Sequence, residues 1–113
     1  MKIIYNKLIR DGIPEIIAES GKTCEVKELS PDAFLQALSA KLVEEAREVQ
    51  EAVKQGGREE MVKELADLNE VVETLCDLLG IDPKQVSETQ QQRRKTRGGF
   101  TRRLWLEWVE DDS

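Results

Sequence analysis

Four acids, Glu45, Glu48, Glu64 and Asp67, have the residue type and spacing to hold a hard cation. Positions three and four apart on an α-helix share a face. In the segment before Gly56, the apolar positions Leu35, Leu38, Leu42, Val49 and Ala52 follow that rhythm, and Glu45 fills the gap in the stripe. Glu44 and Glu48 flank it. After Gly57 a second stripe, Met61, Leu65, Leu68, Val72 and Leu75, is interrupted by Glu64, and Asp67 follows one turn on beside Val71. An ionised carboxylate buried without a partner is costly, and four close together would repel or take up protons. Basic partners or a divalent cation can offset that cost. Lys41, one turn before Glu44 and Glu45, can neutralise one charge but hardly four. Periodicity alone suits a solvated, salt-bridged face as well as a metal site; the place of the acids within both apolar stripes favours the metal. The chain has no histidine, which removes the usual imidazole base, Ser–His dyads and most zinc sites. Any metal must be held by oxygen, and Mg²⁺ suits such ligands best, with Mn²⁺ as the alternative.

A cation bound by acids leaves room for an anionic ligand, and the basic residues are the candidates to hold one. They are Lys41, Lys7 and Arg10 in NKLIRD, and Arg93, Arg94, Lys95 and Arg97 ahead of Gly98-Gly99. The alternative for Lys7 and Arg10 is an N-terminal segment tied down by ion pairs. For the later group it is a solvated helix end, where cations also suit the dipole. Trp105 and Trp108 are expected to cover a core or a subunit contact rather than to stack on a base.

The elements that must position these residues are mostly helices. Pro14 opens a short helix, PEIIAES, which Gly21 stops. Ser30-Pro31-Asp32 is a strong helix start, and the helix should run from Pro31 to Gln55. Gly56-Gly57 links it to a second, Arg58 to Leu79, closed by Gly80; a third begins at Pro83 and ends near Arg97. So short a link makes the two long helices antiparallel, bringing Glu45 and Glu48 opposite Glu64 and Asp67. Residues 23–29 and 100–109 read as strands and are expected to pair as a small peripheral β-hairpin. The fold class expected is therefore mainly α, in a single domain over residues 1–113.

Charge and composition narrow the function classes. Charged residues make up 35% of the 113 and aromatics only 4%, with a net charge of −6. That balance disfavours a nucleic-acid partner, although residues 93–103 carry six Lys and Arg. Cys24 and Cys76 lack metal-ligand spacing and are expected to be free thiols in a reducing compartment. No signal-like or membrane-spanning run occurs, so a cytoplasmic protein with no membrane partner is expected.

At this point a family resemblance becomes visible. KLVEEAREVQEA followed by EEMVKELADLNEVVETL resembles the EExxE…ExxD signature of the all-α nucleoside triphosphate pyrophosphohydrolases, the MazG-like superfamily. YNKLIRDGIPEII and RGGF look like its phosphoribosyl-ATP pyrophosphohydrolase-like branch. The resemblance implies an antiparallel helical bundle and Mg²⁺-dependent cleavage of a nucleoside triphosphate to the monophosphate and pyrophosphate. It makes Glu45, Glu48, Glu64 and Asp67 metal ligands, with Glu45 and Glu44 the catalytic pair and Glu44 orienting or deprotonating the water. Lys41, Lys7, Arg10, Arg94, Lys95 and Arg97 become candidates to bind phosphate. The NKLIRD start looks more like a house-cleaning enzyme than one that cleaves phosphoribosyl-ATP in histidine biosynthesis. A non-catalytic helical interaction protein is the alternative from a different class. A homodimer or homotetramer is expected, because helices with long apolar stripes in so small a chain would otherwise expose them.

Overall fold

The computed structural model describes residues 1–111. It holds four helices: α1, Ile13–Glu19; α2, Pro31–Gln55; α3, Arg58–Leu79; and α4, Pro83–Arg97. The chain falls into two compact units, one over Met1–Gly80 and one from Ile81 onward.

The first unit is built on the pairing of α2 with α3. Helix α2 starts where the sequence indicates: the Ser30 hydroxyl accepts from Ala33 N at 3.3 Å, and Pro31 supplies a preset φ at the first helical position. It stops at Gly56, whose φ of 77° is left-handed and whose amide donates to Ala52 O at 3.0 Å. With Gly57 as the only other linker residue, α3 must turn straight back along α2. Leu38 and Ala52 of α2 are buried, with Val71 and Cys76 of α3. Burying a leucine-sized side chain contributes about 1.5–3 kcal/mol, so this seam holds the pair together. Small Ala52, near the end of α2, is among the side chains that let the helices approach.

The buried face of α3 is turned from the one its periodicity suggests. Val71, Cys76 and Glu64 are buried, whereas Leu65 and Val72 stay 48% and 39% exposed. The apolar arc of α3 is wider than one partner helix can cover, so half of it remains outside.

In the second unit, the Asp82 carboxylate accepts from Lys84 N at 2.9 Å and starts α4. This helix is polar all round and buries no residue.

The expected β-hairpin is not found. No strand occurs among the described residues, and both 23–29 and 100–109 are irregular. The reason lies in their side chains. Leu104, Trp105 and Leu106 are consecutive and all largely exposed, as are Trp108 and Val109, so no alternate face is buried. The chain also turns at the head of this segment, where Arg103 N donates to Phe100 O at 3.2 Å and Arg103 takes a φ of 57°. A two-stranded ribbon without a core beneath it is marginal in water. The mainly helical reading holds without it. No helix among the described residues is long and apolar enough to cross a membrane.

Candidate metal and phosphate site

The antiparallel pairing brings acids from two helices to one place. Glu45 and Glu48 of α2 and Glu64 of α3 each offer a carboxylate oxygen, and these oxygens lie within 4.8 Å of one another. Glu45 and Glu64 are only 5% and 7% exposed, and each keeps a buried oxygen, Oε2, that meets no hydrogen-bond donor. Glu48 is exposed and opens the group to solvent. Two buried oxygens without donors, both on hard carboxylates, are the features expected of residues shaped for a divalent cation.

The electrostatics of the group agree. Glu64 is pushed up to about 7, first by the Glu48 carboxyl, close enough to share a proton with it, then by Glu60 in the same way, and by burial. Glu45 is raised as well, chiefly by burial and then by Glu48, against the opposing pull of Lys41. Carboxyls crowded without a cation share protons instead of charge.

Lys41 Nζ sits 3.4 Å from Glu45 Oε1 and 3.5 Å from Glu44 Oε1, so one ammonium serves two acids a turn away on its own helix. Glu44 itself is exposed. Beside it lies a shallow depression, lined by Asn6, Lys7 and Leu8 of the N-terminal segment and by Ala37, Ala40, Lys41 and Glu44 of α2. Asn6 takes a left-handed φ of 46° there, a conformation asparagine tolerates better than most residues. Lys7 Nζ lies 5.5 Å from the centre of the Tyr5 ring.

Asp67 does not join the three converging glutamates. Its Oδ1 accepts from the Arg10 guanidinium at 2.7 Å, an ion pair across 57 residues that ties the N-terminal segment to α3. Arg94, Lys95 and Arg97 stand on the last turn of α4 in the second unit, all exposed.

Two features of the site are not singled out by the sequence patterns. Glu60, one turn before Glu64, takes part in its proton sharing and lines a second depression with Glu48, Glu51, Gln55 and Glu64. Its spacing of four from Glu64 is the signal that marks it. An N-terminal segment tied down by ion pairs is the alternative that the sequence offers for Arg10, and the structure shows such a pair; that its partner is Asp67 leaves no local signal, because the two come from distant parts of the chain.

The family model for "Phosphoribosyl-ATP pyrophosphohydrolase" matches residues 14–94, which include the whole of α2, α3 and the glutamate cluster. The chain belongs to the phosphoribosyl-ATP pyrophosphohydrolase family. This family is part of the MazG-like all-α NTP pyrophosphohydrolase superfamily. Residues 1–13, with Lys7 and Arg10, precede the matched region. An uncharacterized protein of Mycolicibacterium smegmatis is 44% identical over 57 residues, a stretch covering 46% of this chain and 58% of that protein. The chain thus spans little more than half the length of that curated relative. No solved structure matches it significantly.

Proposed function

We propose that the protein is a Mg²⁺-dependent pyrophosphohydrolase that cleaves a nucleoside triphosphate to the monophosphate and pyrophosphate, clearing unwanted nucleotides, and that it works as a homodimer or homotetramer. The observation that carries this reading is the pair of buried, donorless Oε2 atoms of Glu45 and Glu64 beside Glu48. Membership of a pyrophosphohydrolase family supports it.

Glu45, Glu48, Glu64 and Asp67 are the residues to hold the cation, and Mn²⁺ can replace Mg²⁺ in an all-oxygen site. A divalent cation bound there supplies the positive charge that polyphosphate cleavage requires. The chain's own residues do the rest. Lys41 and Lys7 border the depression beside the cluster and bind phosphate oxygens. Arg10 is a further phosphate ligand, and Arg94, Lys95 and Arg97 of α4 are basic residues suited to the same role. Glu44, solvent-accessible and paired with Lys41, orients the water. Water adds across the α–β anhydride, its proton passes to the Glu44 carboxylate, and pyrophosphate leaves.

The family's description favours phosphoribosyl-ATP as a second substrate class. The resemblance of NKLIRD to the house-cleaning branch favours ordinary and modified triphosphates. Both readings are tested by pyrophosphate release from a nucleotide panel that includes phosphoribosyl-ATP, with Mg²⁺, Mn²⁺ or EDTA. Glu45→Gln and Asp67→Asn should each lower turnover by more than about 100-fold, since loss of even an outer-shell partner costs 10–100-fold. Unchanged turnover in both variants rules out the site. No pyrophosphate release from any nucleotide leaves the non-catalytic helical protein as the better account.

A further inference from the structure

Arg10 holds Asp67, the one of the four proposed cation ligands that stands apart from the other three. Its guanidinium donates to Asp67 Oδ1 at 2.7 Å, while the oxygens of Glu45, Glu48 and Glu64 gather within 4.8 Å. Arg10 lies in the N-terminal segment that also brings Lys7 to the rim of the depression beside Glu44 and Lys41. The pair is partly open to water, with Arg10 60% and Asp67 29% exposed at the side chain. It can therefore separate without leaving a buried charge.

We propose that Arg10 is an exchange latch: it occupies Asp67 in the free protein and moves to a phosphate of the incoming triphosphate, releasing Asp67 to complete the cation site. This rests on the function proposed above. While Arg10 Nη2 donates to Asp67 Oδ1, that nitrogen's bond is withheld from a phosphate and that oxygen from a cation, and the guanidinium charge beside the carboxylate offsets its attraction for a cation. Arg10 thus competes with the cation in the free protein and co-operates with it once polyphosphate is present. The outcome is a positioning role, exerted through Asp67, that links filling of the cation site to arrival of the substrate. The segment carrying the latch precedes residues 14–94, the stretch that the family model matches.

The test has two arms on the full chain, with Arg10→Ala and Arg10→Lys beside the wild type. In the first, Mn²⁺ alone is titrated by calorimetry. Arg10→Ala should bind it more tightly, by up to about fivefold, the most that release of an exposed ion pair can yield. In the second, inorganic tripolyphosphate is titrated at saturating Mg²⁺, and Arg10→Ala should bind it at least about fivefold more weakly. Arg10→Lys should fall between wild type and alanine in both arms. Damage to the fold would weaken both ligands together, so opposite signs are the signature of exchange. Unchanged or weaker Mn²⁺ binding by Arg10→Ala overturns the latch while the site stands. Unchanged tripolyphosphate binding overturns the transfer to phosphate. Absence of any Mn²⁺ binding by the wild type overturns the site and the latch together.

Discussion

Glu64 is the residue on which the protonation of the site turns. In the metal-free protein its carboxyl is raised from 4.5 to about 7 by Glu48, Glu60 and burial. Between those two values the folded protein holds a proton on Glu64 that the unfolded chain has lost. Stability therefore falls as pH rises through this window, because the native state binds more protons there than the unfolded one. The contribution is fully present below 4.5 and lost above about 7. Thermal unfolding of the metal-free protein at steps from pH 4 to 8, beside Glu64→Gln, should show a fall in Tm that is smaller in the variant, where Glu45 alone of the two raised carboxyls remains. Cation binding runs the other way, since a carboxyl must give up its proton to become a ligand. Apparent Mg²⁺ affinity should weaken by about tenfold for each pH unit below the Glu64 value if one proton is displaced. Affinity independent of pH from 5.5 to 8 would mean that the cation displaces no proton from Glu64. Adding Mg²⁺ at pH 8 should raise Tm by mass action.

At the scale of the elements, the two long helices depend on their ends. Gly56 sits at a φ of 77°, and a Cβ built there would meet no atom within 4 Å. The cost of Gly56→Ala therefore comes from the backbone alone, about 1–2 kcal/mol. Ser30→Ala removes the hydroxyl that accepts from Ala33 N, a loss of about 1 kcal/mol. Each should lower the midpoint of denaturant unfolding with little change in slope; equal midpoints for wild type and Gly56→Ala would refute the strain argument. These ends were legible because proline, serine and glycine act locally: α2 and α3 begin and stop where their punctuation places them. Convergence of Glu45, Glu48 and Glu64 was legible for a related reason, since the short link leaves α3 only one way to return. What escaped the sequence is tertiary. Residues 23–29 and 100–109 have strand-like composition, but strand formation needs a buried face, and the exposed Leu104-Trp105-Leu106 run has none. The rotation of α3 that buries Val71 rather than Val72 is settled by packing against α2, not by the stripe itself. The Arg10–Asp67 pair joins two segments that no local pattern relates.

At the scale of the whole molecule, the rotation of α3 has a consequence for assembly. Leu65, Val72 and Leu79 lie seven residues apart and are 48%, 39% and 52% exposed, with Val62 close by on the same helix. On α2, Val43 and Val53 are also open. A helix pair that buries one seam and leaves a second apolar line outside presents the kind of surface a larger bundle covers, since a seven-residue repeat packs helix against helix. A second copy of the chain is the proposed cover, giving the homodimer or homotetramer. Equilibrium sedimentation should find wild type at twice or four times the chain mass of 12.9 kDa. A Leu65→Glu, Val72→Glu double variant should sediment as monomer, because two charges cannot be buried across such a seam without partners. Both residues are already partly exposed in the single chain, so the variant should keep the helical circular dichroism of wild type. A monomeric wild type contradicts the assembly, and a double variant that still associates moves the contact away from this face of α3.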